Sequence, residues 1–454
     1  MSRTLNDKAM GAFAGLAIGD ALGTTLEFMP RDQYEPLQDI IGGGPFQLRA
    51  GEWTDDTSMA LCLADSLLCC RQHNPIDQLE RYSRWREEGE NSVNGRCFDI
   101  GRTVSKALRE FKGSSSPYPG GQDHYSAGNG SLMRLAPLVL FYSTHVSTRD
   151  TASAIVHLLE MSAFSSMTTH RHPLAVSACK VMALFMDHAL GLTNSSCQQT
   201  DKSAIISFSA EETARLGALP IEIKDIVQGS YRHKSRYDIA SSGYVVDSLE
   251  AALWAFWHGQ TFEEGALLAA NLGGDADTIA AIYGQLAGAY YGLDGIPSSW
   301  VNKLAWHERI VDLAQQLIFP AATRLPQEED VRNLLDQMQA ATDQNAEMQA
   351  TRLLSAVYAC GIIQVDYLEH PVVRAMALAE QHEWVNNSTK WELEDCCYLL
   401  TALVRAARFS SYSGVDGIAD ELTGGRISVI LMRMASIIGH SGCHFPLTLG
   451  ECDD

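Results

Sequence analysis

The sequence predicts an all-α protein built as a larger helical domain followed by a smaller, mostly helical one, and three observations predict it. Apolar residues recur at three- and four-residue spacing along most of the 454-residue chain. Alternation of apolar and polar residues, the mark of a half-buried strand, is nearly absent. Two segments carry glycine at every fourth position, a stripe along one face of a helix.

The first striped helix is expected from Lys8 to Gly23, with Gly11, Gly15, Gly19 and Gly23 in one row. Each interior glycine costs roughly 1 kcal/mol against alanine, so a row of them makes sense where another backbone packs very closely. Helices are then expected at Asp56 to Arg71, Ile76 to Glu88 and Thr103 to Phe111. The stretch Gly113 to Ser126 (GSSSPYPGGQDHYS) follows as a long polar loop of the kind that carries function. Further helices are expected at Thr151 to Phe164, Leu174 to Ala189, Glu211 to Leu216, Val246 to His258 and Phe262 to Ala270. The second striped helix runs from Thr278 to Gly292 with Gly284, Gly288 and Gly292 aligned. Two prolines and a short acidic run in Phe319 to Glu329 mark a boundary, which divides the chain into domains at 1–325 and 330–454. In the second domain helices are expected at Val331 to Ala341, Ala346 to Tyr358, Val372 to Ala379, Leu393 to Arg405 and Ile427 to Ile438.

A formal charge of −21 argues against a nucleic-acid partner, because phosphate backbones need clustered Lys and Arg. An acidic protein that holds phosphates does so through backbone N–H groups or metal ions. The 11 cysteines include no Cys-x-x-Cys pair, which excludes a zinc pattern or a compact disulfide framework. Arg3, Asp7 and Lys8 precede the first apolar stretch, so no signal peptide is read there. The uncharged run Thr278 to Leu293 is too short and too glycine-rich to span a membrane. A cytoplasmic protein with no membrane association is expected.

Two similar segments carry the chemistry. One is Thr54-Asp55-Asp56-Thr57, after Gly51-Glu52-Trp53; the other is Asp275-Ala276-Asp277-Thr278, after Gly273-Gly274. Each places a hydroxyl and two carboxylates at the start of a helix. One such residue would serve as an N-cap. Two carboxylates at each of two helices exceed that need, and they repel unless a cation lies between them. Oxygen-only donors in this number suit Mg²⁺ or Mn²⁺, and four carboxylates with two hydroxyls suffice for two ions.

Seven stretches in this order resemble the ADP-ribosylglycohydrolase family, in detail its dinitrogenase reductase-activating branch. They are GAFAGLAIGDALGTTLEF (Gly11 to Phe28), WTDDTSMAL (Trp53 to Leu61), CFDIGRTVSKAL (Cys97 to Leu108), AGNGSLMRLAPL (Ala127 to Leu138), TTHRHPLA (Thr168 to Ala175), SSGYVVDSLEAALWAF (Ser241 to Phe256) and NLGGDADTIAAIYGQLAGAYYG (Asn271 to Gly292). The resemblance implies an orthogonal helical domain around two Mg²⁺ or Mn²⁺ ions. Thr54, Asp55 and Asp56 would bind from one side and Asp275, Asp277 and Thr278 from the other. It further implies catalytic roles for Glu27 and Asp99, with the choice of general base between them open. Ser126, Gly128, Asn129, Gly130, Ser131, His170 and Tyr244 would contact the ADP-ribose, Tyr244 by stacking on adenine. The implied reaction is hydrolysis of the N-glycosidic bond between ADP-ribose and a protein arginine, and the partner is an ADP-ribosylated protein.

Two other classes compete. Helical terpenoid synthases also use Asp-rich motifs with Mg²⁺, but they require an acid where this chain has Met59. An immunity-type protein that captures an ADP-ribosylating toxin or its target is the other, suggested by the extra domain. Release of ADP-ribose from a modified substrate separates both from a hydrolase.

Overall fold

The computed structural model describes residues 4–318 except 71, 115, 145–150 and 192–200, and beyond them 331, 332, 334, 376, 387–393, 395–400, 403 and 426–438. The chain divides into two compact units, Met1–Phe319 and Pro320–Asp454. Among the described residues the regular structure is helical, with only isolated bridges such as Gly43 to Leu48 and Gly128 to Tyr244. In the second unit the helix Arg426–Ile438 is described, and the described residues of the helix expected at Leu393 to Arg405 (393, 395–400 and 403) are helical; the other helices expected there lie wholly or largely outside the described residues.

The first unit runs through α1 (Leu5–Gly23), α2 (Asp55–Cys70), α3 (Pro75–Glu88), α4 (Arg102–Ser114), α5 (Ala136–Thr144), α6 (Thr151–Met167), α7 (Pro173–Leu190), α8 (Lys202–Ile205), α9 (Ala210–Leu216), α10 (Ile221–Val227), α11 (Val245–His258), α12 (Phe262–Ala270), α13 (Ala276–Tyr291), α14 (Ser298–Lys303) and α15 (His307–Ile318). Starts and stops follow local chemistry. The Thr4 hydroxyl accepts the Asp7 N–H at the head of α1, and Asn74 and His172 cap α3 and α7 just ahead of a first-turn proline. The helices α5, α8, α10, α14 and α15 are not among those expected. α5 is buried from Ala136 to Tyr142 and so shows no polar face there, while α8, α10 and α14 have 4, 7 and 6 residues, too few for a period to register. α15 is amphipathic, with Ile310, Leu313, Ala314 and Leu317 buried, but it lies beyond the motif-bearing stretches.

The core is organised on α1 and α13, which lie antiparallel with their backbones touching. A Cβ placed on Gly15 would lie 2.3 Å from the Gly284 carbonyl oxygen, and one on Gly284 would lie 2.0 Å from that of Gly15. The same meeting recurs along the seam. Gly11 faces Gly288, Gly19 faces Ala280 at 2.0 Å, and Gly23 faces Ala276 at 2.3 Å. The glycine stripes are therefore a packing device, and the propensity lost in each helix is offset by backbone contact with the other. The segments Leu5–Leu26 and Pro173–Leu190 are long and apolar enough to cross a membrane, yet 89% and 83% of them lie buried within this unit as core helices.

Gly19→Ala is expected to destabilise the protein by about 3 kcal/mol or more, because a rigid backbone cannot make room. Gly113→Ala, where nothing lies within 4 Å, should be neutral or slightly stabilising. Denaturant unfolding of both variants checks the difference.

Candidate active site

The antiparallel seam sets the C-terminal end of α1 beside the first turn of α13, and the head of α2 docks onto the same place. Asp20, fully buried near the end of α1, makes this junction. Its carboxylate accepts the backbone N–H of Thr54 at 2.9 Å and of Thr57 at 3.0 Å, with the Thr54 and Thr57 hydroxyls at 2.8 and 2.7 Å. Asp20 thus caps α2 from a neighbouring helix. Glu27 does the same for α13, its Oε2 accepting the Ala276 N–H at 2.9 Å. Asp275 occupies the N-cap position of α13 yet makes no capping bond. With Asp20 and Glu27 supplying these caps, the motif carboxylates Asp56 and Asp275 are spared for another task.

The loop ahead of α13 is locked in place. Phe28 N–H donates to the Gly274 carbonyl at 2.7 Å and Gly274 N–H to that of Met29 at 2.9 Å. Gly274 has φ +71°, and a Cβ there would fall 2.0 Å from the Ser241 carbonyl oxygen, so only glycine fits.

Two acid clusters result. Carboxylate oxygens of Asp20, Asp56 and Asp277 lie within 4.8 Å of one another, and so do those of Glu27, Asp275 and Asp277. Asp277 belongs to both. Thr54 Oγ1 lies 3.2 Å from Asp56 Oδ2 and 3.4 Å from Asp277 Oδ2, and Thr278 Oγ1 lies 3.4 Å from Asp56 Oδ2. Asp56 Oδ1 is buried without a hydrogen-bond partner among the described residues. Leaving such an oxygen unsatisfied is costly, which marks a place for a cation.

Protonation follows from burial first and carboxylate neighbours second. Burial raises Asp20 to about 6 against the hydrogen bonds from Thr54 and Thr57. Asp275 and Asp277 are pushed up to about 7, as is Asp99. Asp55, Asp56 and Glu27 are held still further above the usual carboxylate range. The charges acting on Asp55 and Asp56 are other aspartates. A set of hard oxygen donors in this state fits a divalent cation such as Mg²⁺ or Mn²⁺.

Glu27, Thr54, Asp55, Asp56, Asp99, Asp275, Asp277 and Thr278 gather here. Asp99, half-buried at the left-handed φ of +53°, is the largest charge influence on Asp55 and acts on Asp277 as well. Its backbone is strained for a non-glycine residue, as at many functional positions. The loop at 127–131 is pinned to the head of α11, with Val245 N–H on the Ala127 carbonyl at 3.0 Å and Asn129 N–H on that of Gly243 at 3.2 Å. Asn129 Nδ2 donates to Asp275 Oδ2 and, at 2.8 Å, to Ser248 Oγ, which ties this loop to the acids.

Gly128 and Gly130 lie over His170. A Cβ on Gly130 would meet His170 Cε1 at 3.0 Å. His170 is 1% exposed, its Nδ1 2.8 Å from Thr169 Oγ1, and burial with nearby Arg134 lowers it to about 3, so the imidazole is neutral. The Ser131 hydroxyl is committed inward, accepting from Ser166 Oγ at 2.8 Å. Ser126 closes the short turn His124–Ser126 and packs on Gly121, with no hydrogen bond to the clustered acids among the described residues. Tyr244, 36% exposed, forms the N-cap of α11 with its ring at the surface.

Sequence reasoning missed Asp20, although a single charge inside the apolar run 9–26 was a visible signal. It also missed Arg134, which is buried and holds the Gly130 carbonyl at 2.6 Å and Thr169 Oγ1 at 2.8 Å. Ser248 had no local signal at all.

The acidic centre is thus shared by three helix ends and flanked by a glycine loop. Residues 1–329 match the ADP-ribosylglycohydrolase family model, and the chain belongs to that family of glycosidase-type hydrolases. It is similar to the ADP-ribosylarginine hydrolase Tri1 of Pseudomonas putida (strain GB-1), 45% identical over 333 residues that cover 72% of this chain and 81% of that protein. The Tri1 of Serratia proteamaculans (strain 568) is 43% identical, covering 69% and 80%. The ADP-ribosyl-[dinitrogen reductase] glycohydrolase of Rhodospirillum rubrum is 33% identical, covering 66% and 91%. A solved structure titled ADP-ribosylglycohydrolase-related protein complex is similar at 40% identity and TM-score 0.58, covering 69% of this chain and 98% of its own.

The raised carboxylates set a pH dependence with a definite sign. Folded acids titrating near 6 to 7 hold protons that the unfolded chain, near 3.8, has released. Their contribution is complete below the unfolded value and is lost as pH rises through about 7. Divalent ions held by these carboxylates would replace those protons, so Mn²⁺ is expected to stabilise more at about pH 8 than at about pH 5. At a hundredfold excess over Kd the gain is about 2.7 kcal/mol, read as a rise in Tm over protein in EDTA.

Proposed function

We propose that residues 1–325 form a catalytic domain that removes ADP-ribose from protein arginine, aided by two Mg²⁺ or Mn²⁺ ions. The shared position of Asp277 in two acid clusters, with the charge of Asp99 acting on it, carries this reading. It is supported by the arginine-directed activity named for relatives at 43–45% identity.

Asp20, Thr54, Asp55, Asp56, Glu27, Asp275, Asp277 and Thr278 would hold the ions. Bound there, the ions supply positive charge that fixes the ribose hydroxyls and offsets the crowded carboxylates. The backbone N–H groups of Gly130 and Ser131, which have no acceptor among the described residues, would receive the pyrophosphate. Arg134 beneath holds that loop in shape. Tyr244 would offer its exposed ring to the adenine base.

Asp99 is half-buried and less committed than Glu27, which is 3% exposed and tied to Ala276. Asp99 would pair with the guanidinium and carry the proton exchange at the leaving nitrogen. In the balanced step, the bond from the anomeric carbon to the guanidinium nitrogen breaks and a water oxygen bonds to that carbon. One water proton ends on arginine, and ADP-ribose is released. Nearby carboxylates favour the developing positive charge on the sugar.

The test is ADP-ribose release from arginine-linked and serine-linked substrates with Mg²⁺, Mn²⁺ or EDTA. Arginine-linked substrate should turn over only with metal. Asp55→Ala and Asp277→Ala should each lower kcat by about a thousandfold or more with the fold retained by circular dichroism, and unaltered turnover in either refutes the assignment.

A further inference from the structure

Glu27 and Asp99, two acids of the candidate site, are each neighboured in sequence by a phenylalanine, Phe28 and Phe98. Phe28 has φ +61° and Asp99 +53°, and Phe28 is 65% exposed. Both rings meet Phe46, at centroid distances of 6.3 and 5.3 Å. Phe46 in turn walls an open basin of about 520 Å³ whose lining includes Leu48, Arg49, Glu52, Val93 and Arg96. An aromatic bridge therefore runs from the acid cluster to this basin.

The basin is preformed. One wall is a tight turn in which Gly43 N–H donates to the Leu48 carbonyl at 2.7 Å and Leu48 N–H to that of Gly43 at 3.0 Å. The other is held by Ser92 N–H on the Gly89 carbonyl and Gly95 N–H on that of Ser92, at 3.0 and 3.1 Å. Arg49 and Arg96 are exposed, and neither guanidinium has an ion pair or hydrogen bond among the described residues. Glu52 is the single acid in the lining, and its Oε2 accepts the Arg49 N–H at 2.8 Å. Two free guanidinium groups against one engaged carboxylate make a locally positive hollow on a chain of net charge −21.

We propose that this basin binds the polypeptide flanking the modified arginine and selects targets with an acidic side chain near it. The proposal rests on the arginine-linked reading of the site. An extended peptide advances ~3.4 Å per residue, so a residue about three positions from the arginine spans the Phe98 to Phe46 bridge and reaches the basin. Its apolar stem packs on Phe46 and Leu48 while its carboxylate meets Arg49 and Arg96, a pairing suited to bidentate contacts. An unmodified acidic peptide lacks the ADP-ribose anchor and would be held only by exposed pairs that salt screens.

The test compares free ADP-ribosyl-arginine with two ADP-ribosylated peptides, one carrying Asp or Glu three residues from the arginine and one carrying Lys. Full-length wild type should prefer the acidic peptide by about tenfold in kcat/KM, through KM, and lose that preference at high salt. The Arg49→Glu/Arg96→Glu variant should reverse the peptide preference and leave free ADP-ribosyl-arginine turnover unchanged. Equal wild-type rates on the two peptides, or a variant that loses all three substrates together, overturns the basin. If wild type fails on free ADP-ribosyl-arginine and both peptides, the reading of the site itself falls instead.

Discussion

Contact between the backbones of α1 and α13 is the constraint from which the rest follows. Gly11, Gly15, Gly19 and Gly23, every fourth position of α1, meet Gly288, Gly284, Ala280 and Ala276 with no room for a side chain between them. Such a seam admits one register, since sliding by a residue would drive a larger side chain into a carbonyl. Fixing the register fixes the distance between Asp20 near the end of one helix and Asp277 at the start of the other. Site geometry and core packing are therefore one property of this unit.

The second consequence concerns caps. A helix start usually satisfies its own orphan N–H groups with a local side chain. Here α2 and α13 have part of that duty performed by Asp20 and Glu27 from across the core. The motif acids then crowd together, raised well above ordinary carboxylate behaviour by burial and by one another. An arrangement this unfavourable for bare negative charge persists because the surrounding fold is rigid and because protons or cations can relieve it.

Much of this was legible in the chain. The stripe of Gly11, Gly15, Gly19 and Gly23 signalled a backbone contact, and the paired Asp55-Asp56 and Asp275/Asp277 signalled a centre needing cations. What escaped had physical reasons. α5 is buried from Ala136 to Tyr142 and so has no polar face there to reveal its period. Ser248 matters only because folding sets it beside Asn129, 119 residues away in sequence. Asp20 was readable as a charge inside an apolar helix, but its partner, the head of α2, is a tertiary fact. The basin at Arg49 and Arg96 had no signal, because isolated exposed arginines are ordinary until a fold collects them.

The cap that Glu27 lends to Ala276 spans 249 residues of chain. During translation, the head of α13 leaves the ribosome long after Asp20, Glu27 and the Asp55-Asp56 pair have emerged. No shorter nascent fragment can bring the two acid clusters together, since both contain Asp277. Contacts of this sequence separation are slow to form, so the acid clusters are expected to close late in folding.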